Sequence, residues 1–272
     1  MSAEQLYAEG RIREAAEWLA PRVAQSRDPM LALQLYFAQL DLQQWSDAYQ
    51  TLGLVKASPG MAPAAMKMLE DCGRAEYLLA LRWSDPAQAA TRGALRAPPP
   101  WLVATTKAHH AHVSRAGEAA TKAAIDEREA LRPKTRGTVT RRGQSEPFED
   151  IVDMDAMTSA SIPLAHDRTV LDAAFCELRR LRFLPAKSAF DVRWPAVEFE
   201  TVFGARGTLR TVSLYSGTGL AGDAYTRIGR TTEFDYAGGF ARAFGLRDYS
   251  ITTARGVSMT GITGIEEIVF AI

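Results

Sequence analysis

Residues 132–144 read Arg132-Pro133-Lys134-Thr135-Arg136-Gly137-Thr138-Val139-Thr140-Arg141-Arg142-Gly143-Gln144, and the apolar pattern changes across them. Before this stretch apolar residues recur at helical spacing; after it they alternate. Inside it, Pro133, Gly137 and Gly143 interrupt any periodic face. Residues 132–147 also hold five basic residues and one acidic residue. This divides the chain into a helical-repeat domain (1–131), a basic linker (132–147) and an α+β domain (148–272). A nucleic-acid face would need enough cations to neutralise several phosphates, so this single run reads as a solvated linker.

Upstream, Ser2 and Gln5 form a capping-box pattern, and Ile12, Ala15, Ala16, Leu19 and Val23 then share one helical face. Asp28-Pro29 breaks the chain. Leu31, Leu35, Ala38 and Leu42 repeat the spacing, and a further helix runs from Trp45 to Val55, ahead of Ser58-Pro59-Gly60. Ala15 and Ala48 lie 33 positions apart and the Pro29 and Pro59 breakers 30 apart. Both spacings are close to the ~34-residue period of tetratricopeptide-type helix pairs, which stack around a concave surface. More helices are expected over Ala64–Cys72, Arg74–Trp83, Pro86–Leu95, Trp101–His112 and Glu118–Leu131.

Downstream, Val197, Phe199, Thr201 and Phe203 alternate, Gly204-Ala205-Arg206-Gly207 can turn, and Thr208–Tyr215 is rich in β-branched residues, which predicts a hairpin. Asp248–Thr253 and Ile265–Ala271 are further strand candidates. Leu171, Ala174, Phe175, Leu178 and Leu181 fit a helical face, so Val170–Leu181 reads as a helix. The fold class is α+β: an all-α, TPR-like N-terminal part, then an α+β part with a mainly antiparallel sheet.

The chain has 272 residues, 47% of them apolar, and a formal net charge of zero, enough to bury two ordinary cores. Cys72 and Cys176 have no metal-like spacing and suit buried thiols in a reducing compartment. The N-terminal stretch is too charged for a secretory leader, and no apolar run spans a bilayer, so a cytoplasmic location is expected.

The chemistry-bearing motifs are sparse. Gly217-Thr218-Gly219-Leu220-Ala221-Gly222 fits a dinucleotide regex, yet no apolar helix follows it, so a surface loop is the better reading. His109, His110 and His112 lack the further ligands that a closed metal site needs, and are read as a polar helix face; His166 reads as a loop or cap residue. Asp150, Asp153 and Asp155 carry oxygen ligands of the kind hard cations prefer, but lack the glycine turn and terminal Glu of a calcium loop. Their simplest reading is a solvated strand edge or turn. No Gly-x-Ser-x-Gly elbow, His-Glu-x-x-His helix or Gly-Lys-Ser phosphate loop occurs. No catalytic residue, cofactor or metal is assigned.

Phe148-Glu149-Asp150 with Asp153 and Asp155, then Trp194-Pro195-Ala196, then Gly229-Arg230-Thr231-Thr232-Glu233-Phe234 fall in an order that resembles the ImpE (SciE, TagJ) family of type VI secretion accessory proteins. Gly10-Arg11-Ile12-Arg13-Glu14-Ala15 is similar to the turn of that family's helical repeats. The resemblance implies a non-catalytic adaptor. Its implied partners are the small subunit of the contractile sheath, held through that subunit's N-terminal helix, and the ClpV AAA+ ATPase. It further suggests an interaction surface including Asp150, Asp153, Asp155, Trp194, Arg230 and Glu233. The alternative is an enzyme or a small-molecule or metal-binding module with its site between the two domains, built from the Asp150–Asp155 cluster with Arg230 and Glu233. Convergence of those side chains on one enclosed pocket separates the two readings.

Overall fold

The computed structural model describes residues 2–26, 28–58, 60–237 and 240–271; the predicted breaker Pro59 lies outside them. The chain opens with Ala3–Ala8 (α1), where the Ser2 hydroxyl accepts from the Gln5 amide and the Gln5 side chain accepts from the Ser2 amide, the reciprocal cap read in the sequence. Ile12–Ser26 (α2), Pro29–Asp41 (α3) and Trp45–Lys56 (α4) follow, with Asp28 capping α3 ahead of Pro29 in its first turn. Pro63–Arg82 (α5) is one continuous helix where two were expected. Its Gly73 is no breaker: a Cβ there would sit 1.9 Å from the Tyr36 hydroxyl, so the glycine lets α3 and α5 approach closely.

The predicted Pro86–Leu95 helix shortens to Pro86–Ala89 (α6) and gives way to a two-residue strand, Gly93–Ala94 (β1). Pro100–Val113 (α7) and Glu118–Leu131 (α8) close the helical part.

The expected linker is not a linker. Gly137–Arg141 (β2) and Gln144–Phe148 (β3) pair antiparallel, and β2 takes its place in the large sheet, with Val139 fully buried. Two of the basic residues are also neutralised: Arg132 pairs with Asp150 at 2.9 Å and Arg141 with Glu146. Gly137, Gly143 and Pro133 broke the helical period because a hairpin begins here.

Asp150–Asp153 (β4), Ser161–His166 (β5), Thr169–Ala174 (β6) and Leu178–Phe183 (β7) come next. The helix expected over Val170–Leu181 is therefore two strands, β6 and β7, joined by a 3₁₀ turn at Phe175–Glu177. After the short helix Ala189–Arg193 (α9) come Ala196–Thr201 (β8) and Arg206–Thr211 (β9), the predicted hairpin, which turns through Gly204 at φ +89°. Ala224–Arg227 (α10), Thr232–Ala237 (β10), Phe240–Gly245 (β11), Asp248–Thr253 (β12), Gly256–Gly261 (β13) and Glu267–Phe270 (β14) complete the chain.

Among the described residues, nine strands form one sheet in the order β1-β6-β5-β9-β8-β7-β14-β2-β3, antiparallel throughout except for the β1–β6 pair. The order β13-β12-β4 makes a second sheet, and β10–β11 a ribbon. Two apolar cores result. One joins the faces of α2 to α5 to Met157, Val170, Trp194 and Val212; the other lies under the large sheet and takes in Trp101 and Leu102 from α7. Each core draws on both sides of residue 132.

Candidate functional site

Between the first three helices and the C-terminal sheet runs a groove of about 1050 Å³. Tyr7, Leu19 and Phe37 form one wall, and Leu184, Val192, Leu214 and Ile262 line the other. Charged groups sit around this apolar lining: Glu4, Asp191 and Glu266 carry negative charge, Arg193 and Arg227 positive.

The groove is held open by contacts between residues far apart in sequence. The buried Arg193 guanidinium donates to Glu76 from Nε at 2.8 Å and from Nη2 at 2.7 Å, and its Nη1 pairs with Asp41 at 2.8 Å. Trp194, with no exposed surface, donates its indole N–H to the same Glu76 at 2.7 Å, and its ring lies 5.4 Å from that of Phe37. Burial pushes Asp41 up to about 6, against the pull of Arg193. Burial also opposes the Arg193 charge, but Asp41 and Glu76 together hold its guanidinium above its usual value. On the opposite side, Arg227 donates from Nε to the Gly10 carbonyl at 2.7 Å, and Gly10, at φ +71°, lies so close to Ala224 that a Cβ would meet its carbonyl oxygen at 2.7 Å. The turn between α1 and α2 is thereby fastened to α10. Such anchoring leaves a preformed concave surface, the usual setting for ligand binding.

The structure separates the residues singled out from sequence. Asp153 and Asp155 are buried, not on a solvated edge. Asp153 pairs with the buried Arg247 and accepts from the Tyr215 hydroxyl at 3.0 Å, while Asp155 accepts from the amides of Met157 at 2.9 Å and Ala243 at 3.1 Å. Burial and the neighbouring Asp153 charge push Asp155 up to about 7. Asp150, half-buried, is occupied by Arg132 and by the Thr135 amide. These carboxylates lock the loop after β4 to the rest of the domain, so two of the three cannot contribute to a surface, and the buried Trp194 cannot either. Arg230 is exposed and Glu233 half-buried, and neither lines the groove, although Gly229 does. Among the described residues no group of three or more His, Cys, Asp or Glu side chains is placed to hold a metal.

Of the three helix histidines only His110 lies on an exposed face. His109 is fully buried, stacked 5.7 Å from Phe240 and edge-on to Trp83 at 4.9 Å, and burial pushes its pKa well down; His112 stacks on Phe240 at 5.1 Å. Cys72 is buried as expected, and burial pushes its thiol up to about 12, but Cys176 is exposed. The Gly217–Gly222 loop is structural. Gly219 lies against the end of α3, where a Cβ would meet the Asp41 carbonyl oxygen at 2.4 Å, and only the one-turn α10 follows.

Asp41, Glu76 and Arg247 belong to no motif that marks them in the sequence. A signal existed for Glu76: it shares the helical face of Cys72 and Leu79, and a carboxylate at a core-facing position must find a buried partner.

Residues 145–266 match the family model described as ImpE protein. The fold is similar to the crystal structure of protein VPA1032 from Vibrio parahaemolyticus, with a TM-score of 0.80 at 17% identity, over 99% of this chain and 97% of that one. No curated protein matches the chain.

Proposed function

We propose, from the premise that residues 145–266 of this chain belong to the ImpE family and so tie it to type VI secretion, that the protein is a non-catalytic adaptor whose groove receives a helical segment of a partner protein. The observation that carries this reading is the groove itself: apolar along its length, charged at its margins and braced by buried ion pairs. Anchors at i, i+3 or i+4 and i+7 of an amphipathic helix span about 10 Å and present one apolar stripe, the shape such a groove accepts.

The occupant we assign is the N-terminal helix of the contractile-sheath small subunit, with the ClpV ATPase as the further partner in the cytoplasm. The enzyme or ligand-site alternative required the Asp150–Asp155 cluster, Arg230 and Glu233 to converge on one pocket. Asp153 and Asp155 instead bond inward to Arg247, Met157 and Ala243.

Calorimetric titration with a synthetic peptide of that sheath N-terminus tests the assignment. Saturable binding is expected, together with at least a tenfold loss in Val192→Asp, since Val192 lines the groove while 54% exposed and tolerates a charge without unfolding the domain. A flat titration at protein concentrations well above micromolar overturns the proposal.

A further inference from the structure

We infer that the outer edge of β13 is a self-association surface, on which a second copy of this chain pairs antiparallel about Met259 to make a continuous six-stranded sheet. The register shows which groups are free. Met154 donates to the Asp248 carbonyl and Glu149 to that of Thr252, so Asp248, Ser250 and Thr252 turn their backbone groups toward β4. Tyr249, Ile251 and Thr253 then face β13 and pair with Thr260, Ser258 and Gly256. Alternation along an antiparallel strand leaves the amides and carbonyls of Val257 and Met259, and the amide of Gly261, pointing outward from the sheet, while the Gly261 carbonyl turns into the 3₁₀ turn Ile262–Gly264.

An open edge of this kind invites another strand unless charge, proline or a bulge blocks it. The two margins differ here. β3, at the end of the large sheet, carries Glu146 and Pro147, whereas β13 reads Gly-Val-Ser-Met-Thr-Gly with neither charge nor proline. Val257 and Met259, 68% and 48% exposed, also place two apolar side chains on the solvent face of that same edge.

The occupant follows from self-complementarity. In a two-fold antiparallel pair centred on Met259, Val257 lies opposite the partner's Gly261, Met259 opposite the partner's Met259, and Gly261 opposite the partner's Val257. Met259 then exchanges both of its backbone bonds with its copy, and the Gly261 amide meets the partner's Val257 carbonyl. The bulky valine faces the residue that has no side chain, and the cation brought to this edge, Arg141 on Ser258 and Thr260, is already paired with Glu146. Ser258 and Thr260 point to the other face, where Arg141 donates to Thr260 at 2.7 Å. An isologous contact of this kind closes on itself as a dimer. With a formal net charge of zero, the molecule imposes no long-range repulsion against it.

Sedimentation velocity on the full-length protein tests this, from a few micromolar to roughly 300 μM, since one strand pair buries less than a standard interface and pairs weakly. Wild-type mass is expected to rise from 29.8 kDa toward the dimer with concentration. Met259→Pro removes an amide that β12 does not use, a position where an edge strand tolerates proline. Met259→Lys instead sets two like charges face to face. Each is expected to shift the dimerisation midpoint at least tenfold with unchanged circular dichroism and melting temperature, the lysine variant serving if proline perturbs the fold. A constant monomer mass across the range, or a dimer equally strong in the folded variants, overturns the inference. Neither result bears on peptide binding in the groove.

Discussion

Glu76 shows how much depends on one side chain at a junction, since it accepts from Arg193 twice and from the Trp194 indole. Removing that carboxylate leaves Arg193 with Asp41 alone and strands three buried N–H donors, which costs on the order of 3–5 kcal/mol. Glu76→Ala is expected to lower stability by about that amount in urea unfolding, and to weaken peptide binding in the groove that Arg193 lines. Asp155 makes a different prediction, in pH. Its folded-state pKa of about 7 lies above that of an unfolded aspartate, so the folded state holds the proton more tightly. The contribution is fully present below about pH 4 and is lost as the pH rises through 7, falling by about 2.6 kcal/mol between pH 5 and pH 8. Asp41 acts in the same direction up to about 6. Relative to wild type, Asp155→Asn should therefore be more favourable at pH 8 than at pH 5. Equal stability differences at the two pH values would refute the assignment. The aspartates were visible in the sequence but their burial was not, because their partners Arg247 and Tyr215 lie 94 and 62 positions from Asp153.

At the scale of elements, the glycine-rich loop makes a paired prediction. A Cβ at Gly219 would meet the Asp41 carbonyl oxygen at 2.4 Å, whereas one at Gly222 meets nothing within 4 Å. Gly219→Ala should cost about 1–3 kcal/mol by forcing the loop off the end of α3, while Gly222→Ala should change stability by less than about 0.5 kcal/mol. Urea midpoints of the two variants check this, and equal effects would remove the packing explanation for the motif. Elements carrying one uninterrupted period were legible in the sequence: α2, α3, α4, α7, α8 and the β8–β9 hairpin. Val170–Leu181 was not. There, the 3₁₀ turn at Phe175–Glu177 and the irregular register at Leu178/Arg180 insert extra residues between inward-facing positions. Leu178 and Leu181 consequently both face inward at a spacing of three, which imitates a helix even though the backbone is extended. The short hairpin β2–β3 was concealed by its charge, because the arginines that suggested a linker find carboxylate partners only once β2 lies beside β3 and the chain brings Asp150 to Arg132.

At the scale of the whole molecule, the helical and sheet-containing parts are not independent. α5 lies against β5 and β6 and carries Arg82 to the buried Asp172 at 3.1 Å, and Trp194 enters the helical core while Trp101 and Leu102 enter the sheet core. Dividing the chain at residue 147 would expose both cores and strand Arg193, Asp41 and Asp172 without their partners. Burial of an unpaired charge is too costly for either half to retain its native packing. The groove is a product of the same union, since its two walls come from opposite sides of that division. We therefore expect one cooperative unfolding transition, with coincident urea midpoints from far-ultraviolet circular dichroism and from tryptophan fluorescence. Both probes weigh the helical part most, because four of the five tryptophans and helices α1 to α8 precede residue 132, so calorimetry, which registers both cores, completes the check with a single heat-absorption peak. Separately expressed 1–147 and 148–272 fragments should each lack a cooperative transition and fail to bind the sheath peptide, and mixing them during refolding should restore both properties. Two separated midpoints in the intact chain, or a fragment that melts cooperatively alone, would show that the groove joins two self-sufficient domains.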